Sequence, residues 1–257
     1  MSADPKPDAV LHGGRTNLVW RAGDIVHKKY RSDRATPMFR NDPGAEWAIL
    51  IHLSGQNIGP DPVDLRRDAS GDWVLQYRHL DGMTHATSPE DLAGLLGRLH
   101  RLPVPHDLVR TPTGAAVLEH GCDMAAGAAT LRRAMPAPPP PCETLAICHR
   151  DVVPGNVVQT PNGARLIDWQ CPGACDPVED IAHALSPAMH LLYGGDGPHF
   201  AAFLAAYPDQ NVVDRYRRYG AAYHWRLACY CHWQVTRNGG TAYGPAYETE
   251  MALLNTL

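Results

Sequence analysis

The sequence predicts an α+β fold with two lobes, a small β-rich N-terminal lobe and a larger, mostly helical C-terminal lobe. Short segments of β-type residues bounded by turn signals dominate the chain up to residue 77. Well-capped helical patterns begin at Ser88, and the chain is mostly helical in pattern from about residue 177. We therefore expect an N-terminal lobe over residues 1–80 and a C-terminal lobe over residues 81–257.

Strand and turn signals organise the N-terminal lobe. Residues 18–21 and 25–30 are predicted strands joined by a turn, and residues 72–77 form another strand. Between them a helix should begin at Pro43, with Asp42 as its N-cap.

Helices dominate the second lobe. Ser88 as N-cap and Pro89 as first residue predict one helix, and a second helix is predicted over residues 117–133. The proline-rich residues 134–141 predict an extended link, and residues 157–167 predict a hairpin.

The composition is that of an ordinary globular protein. Apolar residues make up 44% and charged residues 19% of the 257 residues, and the formal net charge is −4. There is no basic excess to attract nucleic acid or an anionic membrane, so we expect neither as a partner. The start of the chain lacks a secretory-signal pattern and the apolar runs are too short to span a bilayer, which favours a cytoplasmic protein.

Seven cysteines are present, and none lies in a CxxC pair. Cys171 and Cys175 lie close in sequence, as do Cys229, Cys231 and His232, but neither spacing matches a common zinc pattern. We expect reduced thiols that pack as small apolar residues, with a zinc-binding module as a distant alternative.

The strongest functional pattern lies at residues 149–169. The segment HRDVVPGN places Asp151 and Asn156 five positions apart, and Asp168 follows twelve positions later within LIDW. Phosphoryl transfer needs one carboxylate to orient the attacking hydroxyl and accept its proton. It also needs an amide oxygen and a second carboxylate to hold Mg²⁺. A loop closed by a hairpin would bring these three groups to one edge of a cleft, unless they are loop-capping residues of another fold.

This pattern resembles that of the aminoglycoside phosphotransferase and choline kinase family, the small-molecule branch of the bilobal protein-kinase-like fold. The family's pattern is H-G-D-x-x-x-x-N followed by I-D-W or I-D-F, and the resemblance extends from about residue 11 to about residue 185. It implies that Asp151 is the catalytic base and that Asn156 and Asp168 are metal ligands. It also implies that His149 and Asp180 support the catalytic loop; helix capping is the alternative for Asp180.

Arg150 departs from the family pattern, which usually has glycine at this position. Arginine is typical of protein kinases, where it can meet a phosphorylated activation loop. Only eleven residues separate Asp168 from Asp180, however, with no DFG or APE sequence, so there is no room for such a segment. We interpret Arg150 as a structural or substrate-side cation.

The N-terminal lobe carries weaker nucleotide-binding signals. Gly13, Gly14, Thr16 and Asn17 resemble the G-G-x-T-N of choline and ethanolamine kinases, where backbone N–H groups can approach phosphates; alone, they form a generic turn.

The next strand resembles the V-A-I-K strand of kinases. Strand alternation puts Val26 and Lys28 on one face, towards adenine and phosphates, with Lys29 as the less favoured alternative to Lys28. Glu46 matches the acid that pairs with this lysine. Gln76 and Tyr77 begin the segment expected to read the adenine edge through backbone groups.

The acceptor site is expected on the C-terminal helices. Tyr223, Arg226, Tyr230 and Trp233 recur on one helical face, and aromatic faces attract a quaternary ammonium. A core-packing stripe is the alternative interpretation. An aminoglycoside site would need many carboxylates, and the C-terminal segment has few.

Together these patterns predict a Mg²⁺-dependent kinase that transfers the γ-phosphoryl of ATP, or of GTP, to a hydroxyl of a small molecule. A cationic acceptor such as choline or another amino alcohol is favoured. One alternative is an aminoglycoside phosphotransferase that confers antibiotic resistance. Another is a nucleotide-binding pseudokinase that acts as an interaction module, which would be expected to have lost a motif residue.

Overall fold

The N-terminal part of the chain forms an antiparallel sheet, as the strand patterns predict. The structure, a computed structural model, describes residues 9–11, 16–238 and 241–257. Its five-stranded sheet has the order β1-β2-β3-β5-β4. The strands are β1 (Ala9–Val10), β2 (Leu18–Ala22), β3 (Ile25–Lys29), β4 (Pro62–Arg67) and β5 (Trp73–Arg78).

The C-terminal part is mainly helical and contains two small sheets, β6-β8-β9 and β7-β10. In chain order after α1 (Pro43–Leu53) and β5 come β6 (Met83–Thr84), α2 (Pro89–Leu99), α3 (Ala116–Ala125), α4 (Ala129–Arg133), β7 (Ala146–Cys148), β8 (Val157–Thr160), β9 (Gly163–Leu166), β10 (Gly173–Cys175), α5 (Val178–Ala184), α6 (Pro187–Tyr193), α7 (Phe200–Ala206), α8 (Gln210–Asn238) and α9 (Tyr243–Leu254). The α+β fold class is thus confirmed.

Two predicted helix starts have the expected caps. The Asp42 side chain accepts a hydrogen bond from the backbone N–H of Ala45 at the start of α1. The Ser88 hydroxyl accepts one from the N–H of Asp91 at the start of α2. Each cap satisfies a donor that has no partner within its helix, which fixes where the helix begins.

The single helix predicted over residues 117–133 is wrong, because the chain breaks there into α3 and α4. Ala126 and Gly127 adopt left-handed backbone conformations, with φ of 47° and 77°, which end α3. Nothing in the alanine-rich sequence other than Gly127 marks this break.

The core of the C-terminal part surrounds the long helix α8, which packs against α3, α5 and α9. Trp225 lies on α3 at Gly121, where an added Cβ would come within 2.3 Å of the indole ring. The indole N–H of Trp225 donates to the carbonyl of Leu131. This packing fixes the inner face of α8, the face on which the acceptor residues were predicted.

Two short strand pairs position the predicted catalytic segment. Strand β7 pairs antiparallel with β10, and the loop that carries Asp151 follows β7 directly. The hairpin β8–β9 then begins after Asn156 and ends two residues before Asp168. The hairpin predicted from sequence is therefore present, and it returns the chain to the catalytic loop.

The expectation that all cysteines are reduced is wrong for one pair. Cys148 on β7 and Cys175 on β10 form a disulfide, with their Cα atoms 6.1 Å apart. The two residues are 27 positions apart in sequence, and the pairing of β7 with β10 brings them together. The remaining cysteines are free thiols: Cys122, Cys142, Cys171, Cys229 and Cys231.

Neither of the two cysteine groups considered for zinc forms a metal cluster among the described residues. There, the one cluster of three potential ligands is His100, Cys148 and Asp180, and Cys148 is already bonded to Cys175. Within the same part of the chain, no helix is both long enough and apolar enough to cross a membrane.

Candidate active site

Lys28 connects the two parts of the chain. Its Nζ donates to Glu46 Oε2 over 2.6 Å and also donates to Asp168 Oδ1. Lys28 and Glu46 are almost fully buried, and the Tyr30 hydroxyl donates to the same Glu46 oxygen. Burial alone would lower the pKa of Lys28, but Asp168 and Glu46 raise it overall, so the side chain stays charged.

The alternation of β3 decides between the two neighbouring lysines. Val26 and Lys28 lie opposite Tyr77 and Leu75 of β5 and face the interior. Lys29 faces the other way and pairs with Asp68 and Asp72. Lys28 is thus the lysine that reaches Glu46 and Asp168.

The catalytic loop brings Asp151 and Asn156 together. The Asn156 Nδ2 donates to both the backbone oxygen and Oδ2 of Asp151, over 3.0 and 3.1 Å. The other carboxylate oxygen of Asp151, Oδ1, is buried and accepts no hydrogen bond from any residue that the structure describes. Burial, and then the negative charge of Asp168, raise the pKa of Asp151 to about 8.

His149 links the loop to the segment that carries Asp168. Its Nε2 lies 2.9 Å from the Ile167 carbonyl, which can only accept, so Nε2 carries the proton. Its Nδ1 then accepts from the Asp151 N–H over 3.2 Å. Burial lowers the pKa of His149, which keeps the ring neutral in this tautomer.

Asp180 braces the start of the loop from helix α5. Its two carboxylate oxygens accept the backbone N–H groups of His149 and Arg150, over 2.8 and 2.7 Å. Burial acts to raise the pKa of Asp180, but the hydrogen bond from His100 and the other polar contacts lower it overall. These bonds, rather than a helix cap, are what the Asp180 side chain makes.

A cleft of about 600 Å³ contains the predicted residues Thr16, Val26, Lys28, Tyr77, Asp151, Asn156 and Asp168. His79, at the end of the segment expected to read the adenine edge, also lines it. The rest of the lining was not predicted: Leu11, Val19, Leu80, Gly82, Thr84, His85, Gly155, Val158, Ile167, Gln170, Leu192 and Tyr193. Two of these had a signal in the sequence. Val158 follows Asn156 at strand spacing, and Ile167 lies directly before Asp168 within LIDW.

Some predicted nucleotide-binding residues have other positions. Gly13 and Gly14 lie outside the described residues. The side-chain amide of Asn17 donates to Asn41 and Gln170 and its side-chain oxygen accepts from a backbone N–H, so the expected approach of its backbone N–H to a phosphate stays a prediction. Gln76 is wrong as a hinge residue, because it lies within β5 between two paired strands and its side chain contacts His27.

The predicted acceptor face divides into two parts. Tyr223 and Arg226 are wrong as acceptor contacts, because both are buried in the core away from the cleft. The Tyr223 hydroxyl donates to Asp176, and Arg226 pairs with Glu179. For these two residues the core-packing alternative is correct.

Tyr230 and Trp233 lie about two and three turns after Tyr223 on α8. The ring of Tyr230 contacts those of Phe39, Trp233 and Tyr243, with centroids 5.1 to 6.1 Å apart. Burial raises the pKa of Tyr230. Tyr230 is only 4% exposed, and neither Tyr230 nor Trp233 lines the cleft that contains Asp151. These four rings form an aromatic cluster (Phe39, Tyr230, Trp233 and Tyr243), and the acceptor role of Tyr230 and Trp233 stays a prediction.

The fold and the arrangement of these residues define a phosphotransferase. The buried pair of Lys28 and Glu46 meets Asp168, which follows the hairpin, and the same cleft contains Asp151 and Asn156 of the catalytic loop. The model of the phosphotransferase enzyme family APH matches residues 9–221, so the chain belongs to this family. It is a small-molecule phosphotransferase. No curated protein sequence matches the chain.

Solved structures similar to this chain share its fold at low sequence identity. A choline/ethanolamine kinase family protein from Mesorhizobium loti has a TM-score of 0.64 and 19% identity, over 98% of this chain and 88% of that chain. A thermostable mutant of aminoglycoside phosphotransferase APH(4)-Ia, in ternary complex with AMP-PNP and hygromycin B, has a TM-score of 0.67 and 11% identity, over 98% and 95%. Spectinomycin phosphotransferase APH(9)-Ia, in complex with ADP and spectinomycin, has a TM-score of 0.60 and 13% identity, over 97% and 93%.

Proposed function

We propose that this protein transfers the γ-phosphoryl of ATP, or of GTP, to a hydroxyl of a small cationic molecule such as choline or another amino alcohol. The observation that carries the proposal is the position of Lys28, which joins Glu46 to Asp168 in the cleft that also contains Asp151 and Asn156. A cation between two carboxylates, beside a carboxylate with an unpaired oxygen, is suited to a polyphosphate and an attacking hydroxyl.

The nucleotide would lie between the sheet and the C-terminal part of the chain. Val26 and Tyr77 line the cleft on the sheet side, and Val158 and Ile167 line it on the other, which gives an apolar slot for a base. Lys28 at the end of this slot would contact the phosphates. Similar structures in complex with ADP, GDP or AMP-PNP support a nucleotide at this site.

The residues Asn156 and Asp168 fit a magnesium site by their chemistry. Both offer oxygen, which is the ligand atom that Mg²⁺ requires. The two hydrogen bonds from Asn156 Nδ2 to Asp151 also turn the amide so that its oxygen is left for a cation. When bound, Mg²⁺ would neutralise charge on the phosphates during transfer.

Asp151 would act as the base. Its unpaired Oδ1 would accept a hydrogen bond from the acceptor hydroxyl and then its proton. The raised pKa, about 8, makes the carboxylate a stronger proton acceptor than an exposed aspartate. The Asn156 side chain would hold the other oxygen in place during this step.

The aromatic cluster supports a cationic acceptor. Trp233 already presents one ring face to a cation, since the Arg237 guanidinium lies 4.7 Å from the centroid of its ring. A substrate ammonium would take a similar position against these rings while its hydroxyl reached Asp151. An antibiotic is the second candidate for the acceptor, because aminoglycoside phosphotransferases are among the similar structures.

The experiment is a panel of acceptors assayed by consumption of ATP and of GTP in the presence of Mg²⁺. Choline, ethanolamine and other amino alcohols should be phosphorylated. Phosphorylation of an aminoglycoside or a neutral sugar, with every amino alcohol inert, would reject the acceptor proposal but keep the kinase. If no acceptor is phosphorylated and the protein still binds the nucleotide, the pseudokinase alternative is favoured.

A further inference from the structure

Arg150 holds a backbone conformation that its residue type disfavours. Its φ is 68°, in the left-handed region, within the loop that carries Asp151. Glycine, the usual residue of the family pattern at this position, adopts this region without cost. For other residues the Cβ atom disfavours it by about five- to thirtyfold in the conformational equilibrium. Other contacts in the structure must therefore stabilise the left-handed conformation of Arg150.

Buried contacts of the Arg150 side chain stabilise this conformation. Its Nε donates to Glu179 Oε1 over 2.9 Å, and its Nη1 lies 3.4 Å from the carbonyl oxygen of Cys171. The stem packs against Gly173, where an added Cβ would come within 3.1 Å of the Arg150 Cδ. One side chain thus ties the catalytic loop to α5, β10 and the segment after Asp168.

Glu179 is held in turn by the long helix. The same Oε1 pairs with Nη2 of Arg226 on α8 over 2.7 Å, and all three side chains are nearly or fully buried. Burial tends to raise the pKa of Glu179, but Arg226 and Arg150 lower it to about 2. The Glu179 carboxylate therefore stays ionised at neutral pH, and its ion pair with Arg150 persists there.

The same geometry argues against contact between the Arg150 guanidinium and a substrate. Arg150 is only 5% exposed and Arg226 is fully buried. Neither residue lines the cleft that contains Asp151.

We infer that Arg150 is a positioning residue, whose buried pair with Glu179 and Arg226 holds the catalytic loop in the left-handed turn that aims Asp151 into the cleft. In this chain the ion pair takes the place of the conformational freedom that glycine gives at this position. The role rests on the proposed function only in that Asp151 is taken to be the base.

The matched test compares Arg150→Gly with Arg150→Ala. Both variants delete the guanidinium, and they differ by one methyl group, which alone disfavours the left-handed turn. With Mg·ATP and water as the acceptor, we expect turnover to be about five- to thirtyfold lower in Arg150→Ala than in Arg150→Gly. The nucleotide Kd should be unchanged in both. Arg150→Lys, which keeps a cation for Glu179, should recover most of the turnover.

A variant of a different ion pair serves as the control. Arg215 on α8 pairs with Asp176 over 2.7 Å, just before α5, and does not contact the catalytic loop. Arg215→Gln should therefore leave turnover unchanged. Equal turnover in Arg150→Ala and Arg150→Gly would overturn the inference.

Amide hydrogen exchange tests the loop without any activity. The N–H groups of His149 and Arg150, which donate to Asp180, should exchange faster in Arg150→Ala than in Arg150→Gly at equal global stability. A wild-type protein that turns over no nucleotide would reject the proposed function, while this comparison would still decide the inference. If Arg150→Ala does not fold, Arg150→Asn replaces it. Its turnover and its amide exchange rates should be closer to those of Arg150→Gly than Arg150→Ala would give, because asparagine enters the left-handed region more readily than alanine.

Discussion

The Lys28 Nζ lies 2.6 Å from Glu46 Oε2, and the two side chains are only 2% and 1% exposed. A buried cation with two carboxylate partners is strongly held, since removing one member leaves an uncompensated charge. Lys28 therefore positions both α1, through Glu46, and Asp168.

The first prediction separates Lys28 from its neighbour. Lys28→Ala should lower kcat/KM for the nucleotide at least tenfold, because the cation that would contact the phosphates is lost. It should also lower the free energy of unfolding by about 3 kcal/mol, measured by urea denaturation. Lys29→Ala is the control and should change neither, since its pairs with Asp68 and Asp72 lie on the outer face. A nucleotide KM raised by Lys29→Ala alone would reverse the assignment.

The second prediction concerns Asp151, whose substitution by asparagine keeps the loop shape but removes the proton acceptor. Turnover should fall by at least about 10², while the nucleotide Kd, measured by calorimetry, stays the same. The wild-type profile of kcat/KM against pH should rise towards about 8, where Asp151 loses its proton in the free protein. Full activity in Asp151→Asn would exclude Asp151 as the base.

Stability should change with pH in the opposite sense to activity. The unfolded chain ionises Asp151 near pH 4, and the folded chain does so only near pH 8, so folding favours the protonated form. The Asp151 contribution to stability is thus lost as pH rises from about 4 to about 8. Asp151→Asn should gain stability over the wild type across this interval, by on the order of a few kcal/mol.

The third prediction concerns the metal ligands. Asp168→Ala should abolish productive binding of Mg·nucleotide, because a hard cation loses its charged oxygen ligand. Asn156→Ala should weaken it less, since an amide carries no formal charge. Turnover titrated against Mg²⁺ concentration measures both effects. Normal turnover of Asp168→Ala at low Mg²⁺ would show that the hairpin returns the wrong carboxylate.

Local sequence patterns were sufficient to predict the centre of the candidate site. Asp151 and Asn156 lie in one loop, and the hairpin β8–β9 carries the chain directly from Asn156 to Asp168. The alternation of β3 likewise determined that Lys28 rather than Lys29 faces Glu46. In each case, the residues that decide the geometry are neighbours in sequence or lie within one supersecondary unit.

Contacts between distant segments were not predictable in the same way. Helical spacing identified the face of α8 that carries Tyr223, but not that Asp176, 47 positions away, would accept its hydroxyl. The Asn17 side chain similarly donates to Gln170, 153 positions later. A periodic pattern shows that a face is covered, and only the tertiary fold determines what covers it.

The last prediction concerns the acceptor. If a small cationic alcohol binds at the aromatic cluster, Trp233→Ala should raise the acceptor KM about tenfold, because an ammonium gains roughly 0.5–2 kcal/mol over an aromatic face. The KM for the nucleotide should not change, since Trp233 does not line the cleft around Lys28 and Asp168. Initial rates at saturating nucleotide, with choline or the best amino alcohol of the panel, measure the effect.

Tyr223→Phe is the matched control on the same helix. It removes the hydroxyl that donates to Asp176 but leaves the ring in the core, so it should lower stability and leave the acceptor KM unchanged. Because both residues lie on α8, a general disturbance of the helix would raise the acceptor KM in both variants. A tenfold effect in Trp233→Ala alone would assign the cationic group to the aromatic cluster, whereas an unchanged KM in that variant would exclude the cluster as its binding site.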